Sequence, residues 1–573
     1  MKCLFFSPYA VIHDWRFSEY FLQKSLSKNT DLTILGCKGF MQKSCVAIKA
    51  HTKNYQNEFF RKKICKRCTS NQKKYSKDNK IFYLDDYLTS QEVEKINNLI
   101  SNLNKSNFLK FKYDNFELGK IALFENMLIF KKNELNFSDK EFESLKNTIF
   151  TLLGIIKSLN LINKIFKPDF VISQNGNYSS SKLFNSFFKK QNISNYSWEA
   201  SNHYYKRFDK IFLCKSDNNY GLNYLKKNWI SILKNKKINN KNLESVNKHI
   251  ETIVNAKALR SFSKGYNAKE QSLRDFYNIK TEKIILLNTS SWDEVIGTYI
   301  LKNKKINELM IFDDQEDWIS NVIKFFKDKK NFTLLIRPHP RDFFNKNSKT
   351  MLYLKNLKNN ENIIINKPDH EISLYSIFKD TNLVLNSWST LGMEAGIFNL
   401  PTISISEELT LYPKELELFA SDSKNYFEKI ENFLDNSNDD FNLERCKNFY
   451  KFMVNYVDHC SLQLSIKRNK TLFNISKLID KLTLPVMSKS VQFYFNGYGR
   501  KVTDNSEILY KFFLNKHSVL NEIREDNPNN IKEDDFKFKY FFYSLARTIT
   551  KDNEDNILSR KIKSIEQSVK SRK

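Results

Sequence analysis

The stretch "VLNSWSTLGMEAGIFNLPTISIS", residues 384–406, decides the fold class of this chain. An apolar run ends in a polar turn, a helix-compatible segment follows, and Pro401 separates that segment from a second apolar run. This strand–turn–helix–strand pattern is typical of a parallel sheet covered by helices on both faces. Ligands bind such sheets at the carboxyl ends of the strands. The turn 386–390 and Glu394 therefore lie where a ligand is expected.

The same alternation covers residues 279–440. It runs through "KIILLN", a helix near 313–329, "FTLLIRPHP", "NIIIN", a helix near 371–379 and the opening stretch. Five strands separated by short helices predict a doubly wound unit.

The first 214 residues repeat this organisation. The runs "KCLFFS", "DLTILGC", "KIFYLDD", "KPDFVISQNG" and "ISNYSWEA" predict strands. Helices are predicted for "WRFSEYFLQKSL", for 90–104 with Ser90 as the N-cap, for 139–164 and for 178–190. The fold class expected is α/β, with two doubly wound domains.

The remaining segments are charged and helical in pattern. At 573 residues the chain is too long for a single core. We expect residues 215–278 to form a helical bridge, 441–484 to form helices that pack back across the domains, and 485–573 to form a basic C-terminal extension.

The composition limits the classes of partner that are expected for this chain. No run of about 18 apolar residues is present and the start does not read as a signal peptide, so a cytoplasmic protein without a transmembrane segment is predicted. The formal net charge is +29. It indicates either a solvated surface from a lysine-rich composition or attraction to polyanions and to the anionic inner membrane surface. No nucleic-acid-binding module is recognisable, and no nucleic-acid partner is expected.

Four of the eight cysteines lie close together in the sequence. Cys37 and Cys45 are followed by the C-x₂-C pair Cys65 and Cys68. Four thiolates at such spacing could close a structural zinc site. The alternative is a set of unligated cysteines, and disulfides are not expected in a cytoplasmic chain.

Polar loops follow the predicted strands of the second unit. They read "NTSSWDE" (288–294), "RPHPRD" (337–342), "NKPDHE" (366–371) and "NSWST" (386–390). Arg337 supplies a forked cation suited to phosphate, and His339 can donate to a phosphate or ribose oxygen. The alternative for His339 is a space-filling side chain in a turn that two prolines make rigid.

The turn in the opening stretch adds a candidate anion site. Ser389 or Thr390 would cap the following helix, whose free N–H groups favour an anion. Gly392 would let a phosphate approach the backbone, and Glu394 could accept hydrogen bonds from a sugar hydroxyl. The alternative is an ordinary helix start with an acid that favours the helix dipole.

An R-x-HP loop followed by S-[ST]-x-G-x-E-A…P resembles the second domain of GT-B glycosyltransferases. The resemblance extends to bacterial capsule and lipopolysaccharide biosynthesis enzymes, including transferases that use CMP-activated sialic acid or Kdo. CDP-glycerol-type polymerases and UDP-sugar 2-epimerases share parts of the pattern, which is specific over about 283–406. The resemblance implies two Rossmann-like domains that face a cleft. It also implies a nucleotide-sugar donor held by Arg337, His339, Ser389, Thr390, Gly392, Glu394, Ser290 and Ser291.

The first domain should then hold the acceptor and the catalytic base. Candidates at strand ends are His13 and Asp14 after the first strand, the turn Asn175–Gly176 after "DFVIS", and Glu199 after "NYSW". A salt-bridged strand-end acid is the alternative for Glu199. From the second domain, Asp293 and Glu294 compete for the role of base.

The predicted function is metal-independent transfer of a sugar from a nucleotide-sugar donor to a hydroxyl of a cell-surface polysaccharide or lipid-linked acceptor. No cofactor is required for this chemistry. Two alternatives stay open: an inactive GT-B-like protein that binds polyanions or supports assembly, and a CDP-glycerol-type phosphotransferase. No P-loop, G-x-G-x-x-G, H-E-x-x-H or G-x-S-x-G motif is present.

Overall fold

The computed structural model describes residues 1–51, 57–132, 134–201, 209–216, 220–231, 238–257, 264–267, 272–343, 348–357, 362–367, 372–416, 418–436, 441–459, 461–467, 471, 500–520, 534–550 and 554–570. The strands are β1 Lys2–Phe6, β2 Asp31–Gly36, β3 Lys80–Tyr83, β4 Phe170–Gln174, β5 Ser194–Ala200, β6 Lys210–Lys215, β7 Lys283–Asn288, β8 Phe332–Arg337, β9 Ile363–Ile365, β10 Thr381–Asn386, β11 Thr402–Ser404, β12 Leu418–Phe419, β13 Ser461–Gln463, β14 Ser465–Lys467 and β15 Arg500–Val502. The helices are α1 His13–Leu26, α2 Val46–His51, α3 Glu58–Tyr75, α4 Ser90–Ser101, α5 Leu118–Ile121, α6 Leu123–Phe130, α7 Asp139–Phe166, α8 Ser179–Lys190, α9 Tyr220–Lys227, α10 Asn240–Val254, α11 Leu273–Tyr277, α12 Ile296–Leu301, α13 Gln315–Phe326, α14 Pro340–Phe343, α15 Lys349–Asn356, α16 Leu374–Asp380, α17 Leu391–Ile397, α18 Ser423–Asn436, α19 Leu443–Val454, α20 Ser506–Leu514, α21 Asp535–Ala546 and α22 Ile557–Lys570.

The first sheet has the order β13-β6-β5-β4-β1-β2-β3 over the described residues. Strands β1 to β5 pair in parallel, whereas β6 runs antiparallel to both β5 and β13. From β3 to β6 this is the 3-2-1-4-5-6 order of a Rossmann-like sheet. The switch point lies between β1 and β4, where the connections diverge to opposite sides.

The second sheet has the order β12-β11-β10-β7-β8-β9 and is parallel throughout its described part. Counted within the domain, this is again the 3-2-1-4-5-6 order, with the switch point between β7 and β10. Alternate β7 residues face separate apolar clusters: Ile284 and Leu286 lie in one, Ile285 and Leu287 in the other. Both faces are therefore covered, and the predicted α/β class with two doubly wound domains is confirmed.

Helix α7 is the described helix that is long and apolar enough to span a membrane by length and composition. Its best window has a mean hydropathy of 1.5, but 61% of that window is buried inside the structure. Leu145, Ile149 and Leu152 on this helix belong to the apolar cluster around the first sheet. Here α7 serves as a core helix.

Three sequence predictions need correction. Helix α4 is capped by Thr89 rather than by Ser90, because Thr89 Oγ1 accepts from the Glu92 N–H and Glu92 Oε2 accepts from the Thr89 N–H. The second unit gains β12, so its described sheet has six strands instead of five. The segment after α19, predicted to be helical, contains β13 and β14, and β13 pairs with β6 of the first sheet.

The C-terminal extension contributes to both cores. Helix α20 packs on the first sheet, where the rings of Phe513 and Phe170 stack with centroids 4.3 Å apart. Helices α21 and α22 bury apolar residues against the second domain. The domain boundaries predicted from the sequence stay a prediction, but residues beyond 485 are not only a surface appendage.

The two domains touch through helices α6 and α12. Gly297 on α12 allows a close approach, since a Cβ there would lie 2.7 Å from Phe124 Cα. Lys131, just after α6, forms an ion pair with Asp293 of the second domain at 3.3 Å. Strand β6 contributes to both cores, with Leu213 in the first and Phe212 in the second.

Candidate functional site

A row of polar residues crosses the carboxyl edge of the second sheet. In the strand register Ser404 pairs with Asn386, Asn386 with Asn288, and Asn288 with Arg337. Asn366 follows Ile365, the partner of Ile336, and so extends the row past β9. All five residues are almost completely buried. Because burying polar groups costs free energy, a buried polar row at the ends of apolar strands indicates a candidate binding site, and we take this row as its floor.

Asn386 explains the polar turn of the opening stretch. Its Nδ2 donates to the Ser389 carbonyl at 3.1 Å and to Tyr412 Oη at 2.7 Å. Its Oδ1 lies 3.4 Å from Asn288 Nδ2. The turn is thereby fixed to β7 and β10, the two strands of the switch point. Trp388 in this turn packs on Trp292 of the β7 loop, with ring centroids 4.5 Å apart.

The start of α17 differs from its prediction. Thr390 occupies the N-cap position without a side-chain cap, while Ser389 Oγ accepts from the Leu391 N–H at 3.3 Å. The N–H groups of Gly392 and Met393 donate to the carbonyls of Ser389 and Thr390. The N–H groups expected to be free for an anion thus have partners, because the chain enters the helix through a tight helical turn rather than in an extended conformation.

Glu394 points to Tyr375 on α16. Tyr375 Oη donates to Glu394 Oε2 at 2.9 Å. Burial raises the pKa of Glu394 to about 7, and the tyrosine hydrogen bond opposes this shift. The side chain is therefore partly protonated near neutral pH. Its predicted contact with a donor hydroxyl stays a prediction.

Arg337, at the end of β8, carries a buried positive charge. It is 2% exposed, and its Nη1 donates to Asn366 Oδ1. Asn366 Nδ2 in turn donates to Tyr277 Oη at 2.8 Å. Within the described ranges, Arg337 Nη2 has no hydrogen-bond partner and the guanidinium forms no ion pair. Burial lowers the pKa of Arg337 to about 10, so the group stays charged at neutral pH.

His339 lies in the loop after β8. Its backbone N–H donates to Thr289 Oγ1 at 2.8 Å, and its Nδ1 accepts from the Arg341 N–H at 3.3 Å. Burial, followed by the charge of Arg341, lowers the pKa of His339 to about 4. The neutral ring consequently carries its proton on Nε2 and is a hydrogen-bond donor.

The β7 loop brings two buried acids together. Ser291 Oγ lies 2.7 Å from Asp293 Oδ1 and 3.0 Å from Asp342 Oδ1. Arg341 and Lys131 both bind Asp293, which argues against Asp293 as the catalytic base. Burial raises the pKa of Asp342 to about 7. The Ser291 hydroxyl, which was predicted to bind the donor, therefore contacts these two acids.

Ser290 has a structural contact as well. Its N–H donates to Gln315 Oε1 at 2.8 Å, and Gln315 Nε2 returns a hydrogen bond to the Ser290 carbonyl. Gln315 on α13 thereby fixes the backbone of the β7 loop. The Glu294 side chain and residues 368–371 of the "NKPDHE" loop lie outside the described residues.

The candidate bases of the first domain are less well defined. His13 and Asp14 begin α1, but their side chains lie outside the described residues. Glu199 is half-buried in β5, opposite Phe212 of β6. The turn after β4 has its left-handed residue at Asn175, with φ 42°, rather than at Gly176. The identity of the base stays a prediction.

The four clustered cysteines do converge. Cys37, Cys45, Cys65 and Cys68 line one small cavity of about 20 Å³ with apolar neighbours. Burial raises the pKa of all four thiols, to about 11 for Cys65 and about 12 for Cys68. Within the described part of the chain, no group of three or more His, Cys, Asp or Glu side chains is arranged to hold a metal ion. A structural zinc at this position stays a prediction.

The sequence reasoning placed Asn288, Asn366 and Asn386 at the start of polar loops but assigned these residues no role. Two other site residues were missed. Tyr277 and Tyr412 come from segments without any local motif. They reach the site only through tertiary packing.

No protein-family model matches the sequence, and no curated protein matches it. Among solved structures, a UDP-GlcNAc 2-epimerase from Methanocaldococcus jannaschii, in complex with UDP-GlcNAc and UDP, is 14% identical over 76% of this chain and 94% of its own, with a TM-score of 0.27. A UDP-GlcNAc 2-epimerase from Neisseria meningitidis bound to UDP-GlcNAc is 11% identical over 80% and 94%, with a TM-score of 0.25. KpsC from Thermosulfurimonas dismutans, a beta Kdo 2,4 transferase, is 9% identical over 45% and 74%, with a TM-score of 0.29.

The two Rossmann-like sheets that the GT-B resemblance implies are present in this chain. At such low identities and TM-scores the matches do not transfer an activity, and the motifs within the site stay predictions.

Proposed function

We propose that this chain is a nucleotide-sugar-dependent glycosyltransferase that moves a sugar to a hydroxyl of a cell-surface polysaccharide or lipid-linked acceptor. The observation that carries the proposal is the buried charge of Arg337 at the carboxyl edge of the second sheet. Within the described residues this guanidinium has Asn366 as a neutral partner and forms no ion pair. A buried cation needs a nearby anion to offset the cost of its desolvation.

A donor phosphate is the anion that fits this position best. Arg337 lies one strand from the switch point, where nucleotides bind in Rossmann-like sheets. Its planar fork suits a phosphate oxygen pair, and the neutral His339 ring supplies a second donor without adding charge. Together they would stabilise the negative charge that develops on the leaving phosphate.

The acceptor hydroxyl must lose its proton as it attacks the sugar carbon. A base in the first domain would take that proton, and Glu199, Asp14 and His13 are the proposed candidates. In this mechanism Arg337 balances the leaving-group charge, so the reaction needs no metal ion. We place the enzyme in the cytoplasm, at the inner face of the membrane, because its net charge of +29 favours an anionic surface.

A thermal-shift panel of CMP, CDP, UDP, GDP and TDP tests the proposal. One nucleotide at about 100 times its Kd should stabilise the protein by roughly 2.7 kcal/mol. The same nucleotide should be released from its sugar donor in the presence of acceptor, and EDTA should leave the rate unchanged.

The alternative, an inactive protein that binds polyanions, predicts the opposite result. Heparin-like polyanions should then raise the melting temperature, and all five nucleotides should leave it unchanged. That result would rule out the glycosyltransferase if the Arg337→Ala variant also shows the same melting temperatures as the wild type with every nucleotide.

A further inference from the structure

A pocket lies between the two domains, lined by residues other than those of the Arg337 row. Its volume is about 330 Å³. Lys120 and Lys182 of the first domain and Lys302 of the second contribute to its wall. We call it the interdomain lysine pocket.

Elements of both domains build this pocket. Asn177 follows β4, at the switch point of the first sheet, while Lys182 and Ser186 lie four residues apart on one face of α8. Lys302 follows α12, which approaches the first domain closely because Gly297 has no side chain beside Phe124. The pocket therefore depends on both domains being in contact.

The lining carries more positive than negative charge. Among the described lining residues there are three lysines and one acid, Glu117, whose carboxylate lies 3.0 Å from Lys120 Nζ and 3.4 Å from Lys112 Nζ. The pKa of Lys302 is lowered by burial, opposed by Glu408, and lowered further by Lys304 and Lys227. An anion in the pocket would offset the cost of burying the Lys302 charge.

We propose that the interdomain lysine pocket binds an oxyanion, either a phosphate or a carboxylate, on the substrate that accepts the sugar. The assignment to an acceptor rests on the proposed function, and it makes that acceptor an anionic glycan or a phosphate-linked one. The lysines would recognise the oxyanion, while Asn177 and Ser186 can bond neighbouring hydroxyls. Phe124 in the wall offers an apolar surface to a sugar ring.

The test compares two variants that remove the same charge from the full-length protein. Lys182→Gln with Lys302→Gln changes the pocket, and Lys73→Gln with Lys95→Gln changes exposed positions on α3 and α4. Binding of inorganic pyrophosphate and of glucuronate is measured by calorimetry at fixed ionic strength. Saturating CMP and UDP are present so that the Arg337 row does not contribute.

The pocket variant should lose roughly tenfold or more in affinity for at least one probe, while the control variant should change by less than about twofold. Loss of pyrophosphate binding alone identifies a phosphate, and loss of glucuronate binding alone identifies a carboxylated sugar. Unchanged binding, an equal loss in both variants, or no binding to the wild type would overturn the proposal. Melting curves of both variants verify that each is folded.

The results of this experiment distinguish failure of the pocket proposal from failure of the proposed function. If nucleotides do not bind but the lysine variant still loses the probe, the oxyanion pocket stands and the glycosyltransferase falls. If nucleotide release from a donor is normal and the lysine variant binds both probes as the wild type does, the reverse holds.

Discussion

The carboxyl edges of the two sheets have the same topology and different chemistry. In the first sheet, the row in register with Phe6 consists of Ser197, Ser173, Phe6, Leu35 and Phe82. In the second sheet, the matching row consists of Ser404, Asn386, Asn288, Arg337 and Asn366. The shared strand order gives comparable rows, but three of the five residues are apolar in the first sheet, whereas all five are polar or charged in the second.

Among the described residues each domain buries one arginine almost completely, and the two arginines differ in their partners. Arg16 of α1 has Nη1 within 3.3–3.5 Å of Ser7, Glu19 and Gln23, and its Nη2 donates to Ser76 at 2.5 Å. Arg337 has Asn366 and, among the described residues, no carboxylate. Arg16 is thus satisfied within the fold, whereas Arg337 is the residue that we propose to bind the donor phosphate.

Replacing Arg337 should have the largest effect on binding. Arg337→Ala is expected to weaken nucleotide binding by several hundredfold or more, roughly 3–4 kcal/mol, because the ligand phosphate loses a buried charged donor. Isothermal calorimetry measures the affinity. The melting temperature without ligand should fall less than in Arg16→Met, since Arg337→Ala leaves no described carboxylate without its partner, although Asn366 loses a hydrogen bond. A folded variant with unchanged affinity would contradict the site.

Replacing Arg16 should give the reverse pattern. Arg16→Met is expected to lower the free energy of unfolding by roughly 3 kcal/mol, because Glu19 and Ser76 lose their buried partner. Urea denaturation measures this loss. Nucleotide affinity should stay within about twofold of the wild type under folding conditions. A large loss of affinity would show that the two edges are not independent.

Replacing Asn386 tests how much nucleotide binding depends on the hydrogen bonds within the polar row. Asn386→Ala is expected to weaken nucleotide binding about tenfold, since the Ser389 turn loses its hydrogen bond to β10. Ser404→Ala is the matched control, because its hydroxyl lies 3.4 Å from Asn386 Nδ2 and contributes less. Equal losses in the two variants would argue against a special role for the amide.

Glu394 gives the smallest and most pH-dependent effect. Its folded pKa of about 7 exceeds the usual 4.5, so the stability linked to this group is complete below about pH 4.5 and is lost as the pH rises through 7. Glu394→Gln should therefore stabilise the protein by about 1–2 kcal/mol at pH 8 and by almost nothing at pH 4.5. Melting curves across this range measure the difference. A benefit that does not vary with pH would contradict the assignment.

The sequence predicted most of the regular structure and the polar ends of the strands in the second domain. Apolar runs ending in Asn288, Arg337 and Asn386 marked the strands and their polar ends, because burial on both sheet faces leaves continuous apolar patterns. Strand β13 was missed, since its three residues carry no pattern of their own and become a strand only by pairing with β6.

The details of the site depended on contacts that are distant in sequence. Lys131 reaches Asp293 across the domain contact, and Tyr277 reaches Asn366 from a segment predicted to be only a bridge. The N–H groups at the start of α17 looked free from the sequence, yet the observed turn uses them internally. Local sequence patterns cannot predict these hydrogen-bond and ion-pair partners, because tertiary packing determines which residues come into contact.

The return of β13 to the first sheet limits how the domains can move. The chain leaves the first core after β6, re-enters it at β13, and leaves it again before α21, which belongs to the second core. A hinge made of several segments must bend at all of them together. We therefore expect small rotations rather than wide opening, and a cooperative unfolding in which neither half melts alone.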